Sequence, residues 1–217
     1  MLNINRYIIV IVLSTLFTFA QSDVSASEPV KFSDTISIAQ TTMDLQGLGQ
    51  KNFLFMKAFV AAFYLEDGVD TENVLGDVGK SVEVSYFLPI GGDKLTGYTY
   101  DKMKENLTAQ EFSQISDELE QMAEYFPDLK SGDRYSLTYV PGTGTKFIYN
   151  GDLLGIIEDP LFAKGVFSVW IGDNPMDKKI RDQILGYKSL NADREKGISI
   201  VSAPVDPLEK LYSILFI

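Results

Sequence analysis

The chain has no cysteine and no histidine among its 217 residues. Without cysteine there is no disulfide, no thiol nucleophile and no lipid-modified cysteine behind a leader. Without histidine, the Ser-His-Asp triad and the common zinc ligand sets fall away. Any catalysis must use Lys, Arg, Tyr, carboxylates, hydroxyls or bound water. Cations are also scarce: 19 Lys and Arg stand against 30 Asp and Glu, a net charge of −11. That balance argues against nucleic acid and anionic membrane surfaces as partners, because both attract clusters of Lys and Arg. It leaves room for a small anion held by one or two local cations. No metal and no cofactor are expected. Asp67, Asp70 and Glu72 resemble calcium ligands in composition, but their spacing and the glycine position do not fit an EF-hand loop, so they read as solvated loop carboxylates.

Long apolar runs are few. Residues 7–20 form one, behind the single cation Arg6, and a polar stretch then ends in the small residues Val24-Ser25-Ala26. The run is shorter than the roughly 20 residues a membrane-spanning helix needs and has the layout of a secretory leader. Residues 1–26 are therefore expected to be a signal peptide. The product is expected to be exported: periplasmic in a bacterium with an outer membrane, otherwise secreted. Residues 27–186 form one domain with a substantial core. Residues 187–217 form a C-terminal extension, polar and irregular up to residue 207, with a short apolar end.

The chain is organised around residues 47–67, GLGQKNFLFMKAFVAAFYLED. A glycine-spaced turn carries one cation, Lys51, and a nearly unbroken apolar run covers residues 53–64, interrupted by Lys57. Its Phe, Val and Tyr content favours a strand buried on both faces. A buried strand with a cation at its entrance is the candidate for both core and site.

Elsewhere the period assigns the elements. Residues 30–43 alternate and read as one or two strands, and residues 70–79 as a short helix with loops. In residues 81–88, Val82, Val84, Tyr86 and Leu88 share one strand face. From Asp93 the period becomes helical, with Phe112, Ile115, Leu119, Met122 and Phe126 as a core-facing stripe ended by Pro127. Residues 134–140 and 146–149 are strands around a Pro-Gly-Thr-Gly hairpin turn. Asn150-Gly151 is a strong two-residue turn signal, from which residues 153–157 pair back. Helices follow over residues 159–171 and 177–185, the second capped by Gly186. Strands, helices, a meander and more helices make an α+β chain with an antiparallel sheet.

Three stretches resemble the chalcone isomerase family, in particular its bacterial chalcone isomerase-like branch. They are GLGQK leading to KAFVAAFYLED at residues 47–67; LTGYTY at residues 95–100 with Glu105-Asn106; and Asn150-Gly151 through GIIED at residues 155–159 to WIGDNP at residues 170–175. The resemblance implies an open-faced β-sandwich, a large antiparallel sheet covered by a layer of helices, with a ligand cleft between them. The family includes enzymes that cyclise chalcones to flavanones, fatty-acid-binding members and members without demonstrated catalysis. The oxyanion-steadying arginine of the enzymes falls at or beside Lys51, a compact charge without the planar fork of arginine. Their threonine falls near Phe59, which has no hydroxyl. Tyr100 matches the tyrosine, Asn106 approximates the asparagine with one residue missing between them, and the far hydroxyl falls near Asp152.

Removing one oxyanion donor costs about 10²–10³ in rate, so the loss of several turns the expectation from catalysis to binding. Binding a lipophilic carboxylate demands less. A 14-carbon tail contributes on the order of 10 kcal/mol gross at ~0.8 kcal/mol per buried CH₂, against association costs of ~4–15 kcal/mol. The expected function is an exported, non-catalytic binder of a fatty acid or similar carboxylate, with Lys51, Phe59, Tyr100, Asn106 and Asp152 as ligand-binding residues. Two readings stand beside it. One is an isomerase, an intramolecular lyase using Lys51, Tyr100 and Asn106. The other is a periplasmic interaction protein without a small ligand.

Overall fold

Alternating apolar residues become seven antiparallel strands, and the helical stripes become the layer that covers them. A computed structural model describes residues 30–186 and the backbone of residues 199–201. The strands are β1 (Lys31–Ser33), β2 (Thr35–Ile38), β3 (Thr41–Phe53), β4 (Met56–Glu66) and β5 (Lys80–Tyr86), followed by β6 (Arg134–Val140), β7 (Gly144–Tyr149), β8 (Asp152–Ile157) and β9 (Ser199–Val201). The helices are α1 (Gly92–Asn106), α2 (Ala109–Gln114), α3 (Ser116–Glu124), α4 (Pro160–Ile171) and α5 (Lys178–Ile184). Strands β2 to β8 form one curled sheet in sequence order, every neighbour antiparallel. This meander needs only short connections, apart from residues 67–79 between β4 and β5, which hold a 3-10 turn at Thr71–Asn73, and the insertion of α1–α3 between β5 and β6.

One face of the sheet carries the main core. Ala61, Phe63 and Leu65 of β4 and Val82, Val84 and Tyr86 of β5 meet Met103 of α1, Met122 of α3 and the apolar length of α4. The other face is covered by a smaller cluster in which Val60, Ala62 and Tyr64 pack with Phe32, Met43 and Leu48. Both parities of β4 are thus buried, which explains its continuous apolar spelling over residues 60–65.

The sequence reading of residues 53–64 as one buried strand needs correction. A hairpin turn at Leu54 and Phe55 divides it, with Phe53 opposite Met56 and Lys51 opposite Phe59. Phe53, Leu54, Phe55 and Met56 are 60%, 76%, 104% and 51% exposed, so the first third of the run lies outside the core. The turn went unread because it contains no Gly, Asn, Asp or Pro. The single helical stripe from Asp93 to Phe126 is three helices. Leu107 ends α1, and Thr108 opens α2 with a reciprocal capping box to Glu111. That Thr-x-x-Glu signature stood in the sequence.

β9 pairs in parallel with β1, so a Ser-Ile-Val segment in the stretch read as irregular is a strand. Its β-branched spelling suits that state. The signal peptide of residues 1–26 and the apolar end after residue 207 lie outside the described residues. Among the described residues, no helix is long and apolar enough to cross a membrane.

Candidate functional site

A row of three side chains crosses the helix-facing side of the sheet near the turn end of the β3–β4 hairpin. Lys51 of β3 stands opposite Phe59 of β4, and Phe59 opposite Tyr86 of β5. Directly paired residues share a face, so all three point toward the helices. The Phe59 ring lies 6.0 Å from Tyr86 and 6.0 Å, edge-on, from Trp170 of α4. β3 approaches α5 closely here because Gly47 and Gly49 face it: a Cβ on Gly47 would stand 2.2 Å from the Gln183 carbonyl oxygen.

The Lys51 ammonium donates to Asp177 Oδ2 at 2.6 Å, with the two side chains 45% and 22% exposed. Asp177 is also the N-cap of α5, accepting from the amides of Lys179 and Ile180 at 2.8 and 3.1 Å. Burial pushes its carboxyl upward, but the Lys51 ammonium and the amides of Ile180 and Lys179 outweigh that and hold it below the usual carboxylate range. The cation is thus compensated and pinned at a helix N-terminus.

Between sheet and helices lies a cleft with a free volume of about 30 Å³. Its walls are almost wholly apolar, with Val84 and Tyr86 on the sheet side, Leu95 and Thr99 on α1, and Trp170 on α4. Tyr86 is 7% exposed. Burial pushes that phenol well above its ordinary pKa, so it is a neutral donor at any physiological pH. At the rim, the Tyr98 hydroxyl donates to the Met176 carbonyl at 3.3 Å, linking α1 to the segment before α5. Met176 also lines the cleft and is the neighbour of Asp177, which places the Lys51–Asp177 pair beside the mouth. The buried cation Lys80 stands at the opposite end of β5, donating to the Gly76 and Val78 carbonyls, and takes no part in this site.

Of the five site residues named from the sequence, the fold brings Lys51 and Phe59 together. The other three stand apart from that row, and none of the five is among the residues that line the cleft. Tyr100 is 39% exposed, with its ring edge-on to Phe112 at 4.9 Å. Thr99 faces the sheet, and at about 100° per residue its successor is turned away from it. Asn106 ends α1 and donates to the Lys102 and Asn174 carbonyls while accepting from the Asn174 amide. Asp152 is exposed beside the β7–β8 turn, opposite Tyr149. Sequence reasoning did not name Tyr86, Tyr98, Thr99 or Asp177. Tyr86 was visible as the last inward position of the Val82-Val84 alternation, and Thr99 sits at i+4 between Leu95 and Met103.

A family model described as chalcone isomerase-like matches residues 25–186. Among solved structures, the fold is similar to that of a fatty-acid binding protein of Arabidopsis thaliana. The TM-score is 0.53 and the identity 14%, over 70% of this chain and 96% of that one. No curated relative matches the sequence.

Proposed function

The chain belongs to the chalcone isomerase-like family, and from that premise we propose that it is a non-catalytic binder of a lipophilic carboxylate such as a fatty acid. The observation that carries this reading is the Lys51–Phe59–Tyr86 row at the mouth of an apolar cleft. The tail lies between sheet and helices, and the carboxylate meets Lys51 at the rim. Tyr86 supplies a neutral donor further in. The solved fold neighbour named for fatty-acid binding supports the use of this fold for such ligands. Phe59, an apolar ring in the middle of the row, favours tail contact over oxyanion stabilisation.

The free volume of about 30 Å³ is far below the ~300–1,000 Å³ of ordinary ligand pockets, so the ligand must part α1 from the sheet. The Tyr98–Met176 bond is the contact at the rim that has to open. Lys51 has to exchange Asp177 for the ligand, which limits its net contribution.

Displacement of a fluorescent fatty acid, together with native mass spectrometry, tests the reading. Oleate is expected to bind one to one. Lys51→Met is expected to weaken it about ten-fold while leaving the matching alcohol unchanged. Absence of binding in both assays overturns the proposal. A chalcone is expected to cyclise no faster with the protein than in buffer.

The same proposal takes the binder as exported, on the leader-like spelling of residues 1–26. Intact mass of protein recovered outside the cytoplasm is expected to begin at Ser27. Full-length chain retained in the cytosol would contradict this.

A further inference from the structure

The tip of the β3–β4 hairpin presents Phe53, Leu54, Phe55 and Met56 to solvent, from 51% to 104% exposed. No other contiguous stretch of the described residues exposes large apolar side chains to this degree; Leu153 and Leu154 reach 43% and 37%. Scattered exposed apolar residues are ordinary, but four in succession at a projecting turn mark an interaction site. Leu54 also holds the left-handed conformation, φ 54°, at a turn position where Asn or Gly sits at lower cost. The chain therefore keeps apolar bulk at the tip against both solvation and backbone preference.

The surrounding charge tells what the tip faces. None of the 30 acidic residues falls between Leu45 and Leu65, and two lysines, Lys51 and Lys57, stand on either side of the tip. Lys51 is already paired with Asp177 of α5, so on a chain of net charge −11 the tip is free of carboxylates along its own two strands and carries the cation Lys57 directly behind Met56. That order along the hairpin, apolar tip and then a cation, matches the order of acyl chain and phosphate in a lipid leaflet. A protein partner fits less well: four side chains on a convex two-residue turn cover far less than the roughly 800 Å² per partner of a stable interface.

We propose that residues 53–56 insert into the outer part of a lipid bilayer, with Lys57 at the phosphate level, as a reversible membrane-docking tip. Insertion is driven by the apolar side chains, so a zwitterionic phosphatidylcholine surface suffices and the acidic body stays in water. The docked end of the hairpin is the end that carries Lys51 and Phe59 at the cleft mouth. A lipid leaving the leaflet thus emerges beside the proposed site. The docking itself does not depend on what the cleft holds.

The absence of cysteine permits a position-specific test on the full chain. An environment-sensitive fluorophore is attached through Phe55→Cys, through Leu54→Cys as a second tip position, and through Asp152→Cys on the β7–β8 hairpin as the reference. Phosphatidylcholine vesicles are expected to shift both tip labels to the blue and brighten them several-fold. Lipids carrying a shallow spin label are expected to quench the tip labels, and the label at residue 152 is expected not to respond. Silent tip labels, or equal responses at tip and reference, overturn the proposal. So does a tip response that rises with protein concentration without vesicles, which assigns the tip to a second copy of the chain. Because the readout is local, attachment of the chain through residues 1–26 does not mimic a positive result. Failure of fatty-acid displacement alongside a positive tip response rejects the ligand reading and leaves the docking intact.

Discussion

Two of the sheet's three two-residue hairpins, β7–β8 and β3–β4, differ sharply in chemistry. β7 and β8 are joined by Asn150-Gly151, at φ 51° and 92°, the residues that tolerate left-handed backbone at least cost. The turn is tied back to the fold: Asn150 accepts from the Arg134 amide at 2.8 Å and donates to Asp133 at 3.0 Å. β3 and β4 are joined by Leu54-Phe55, which have neither the backbone tolerance nor polar anchors at the turn. The first turn is built for stability. The second gives up stability to hold apolar side chains in solvent, and it is held from its base, where Gly47 lies against α5.

The largest test concerns that base. Gly47→Ala places a methyl group against the Gln183 and Ile184 carbonyls, backbone atoms that cannot move aside. It is expected to cost about 3 kcal/mol and to lower the melting temperature by about 6–12 °C, measured by calorimetry. An unchanged melting temperature would show that the hairpin is not anchored there.

Next comes the anchored turn. Asn150→Ala removes the bonds to Arg134 and Asp133 and puts a Cβ residue without a compensating side chain at positive φ. A loss of about 1–2 kcal/mol in urea denaturation is expected.

The reverse exchange at the apolar tip has the opposite sign. Leu54→Asn with Phe55→Gly gives the β3–β4 turn the chemistry of its counterpart and is expected to raise stability by about 1 kcal/mol. A fluorophore at residue 53 of that variant is expected to lose its vesicle response. Gain of stability with docking retained would separate the two properties and break the comparison.

The smallest effect is one of pH. The Asn150 amide, then the Lys130 amide and the Tyr149 hydroxyl, hold the Asp133 carboxyl below its usual range. A group depressed in the folded state contributes stability above its unfolded value, about 4, and loses it as pH falls through the folded value. The protection factor of the Arg134 amide, which is bonded to Asn150 Oδ1, is therefore expected to fall below about pH 4. Phe55, with no carboxylate on its hairpin between residues 45 and 65, is expected to show no matching change.

Most of the sheet and helices could be read in the sequence because their burial is one-sided and leaves a period. Val82, Val84 and Tyr86 alternate along β5, and Asn150-Gly151 marks its own turn. The β3–β4 turn was unreadable for a physical reason. An apolar run that passes from an exposed tip into a doubly buried strand has no change of spelling, and the usual breakers are absent. The site was legible to the same degree. Lys51 and Phe59 lie in the stretch that the sequence marked as central, Tyr86 joins them through strand pairing, and Thr99 and Asp177 come to the site through helix packing.

By itself, the sequence determined the family, the α+β class, the absence of thiol and imidazole chemistry, and a short supply of cations. These follow from local pattern and composition, which need no partner to be expressed. The tertiary structure decided which of the apolar residues are core and which are surface. It also decided that Thr99, rather than Tyr100, faces the cleft, and that Asp177 already neutralises Lys51. Those outcomes depend on register, helix phase and the meeting of residues 126 positions apart. No local spelling encodes them, because each is fixed by the element on the other side of the contact.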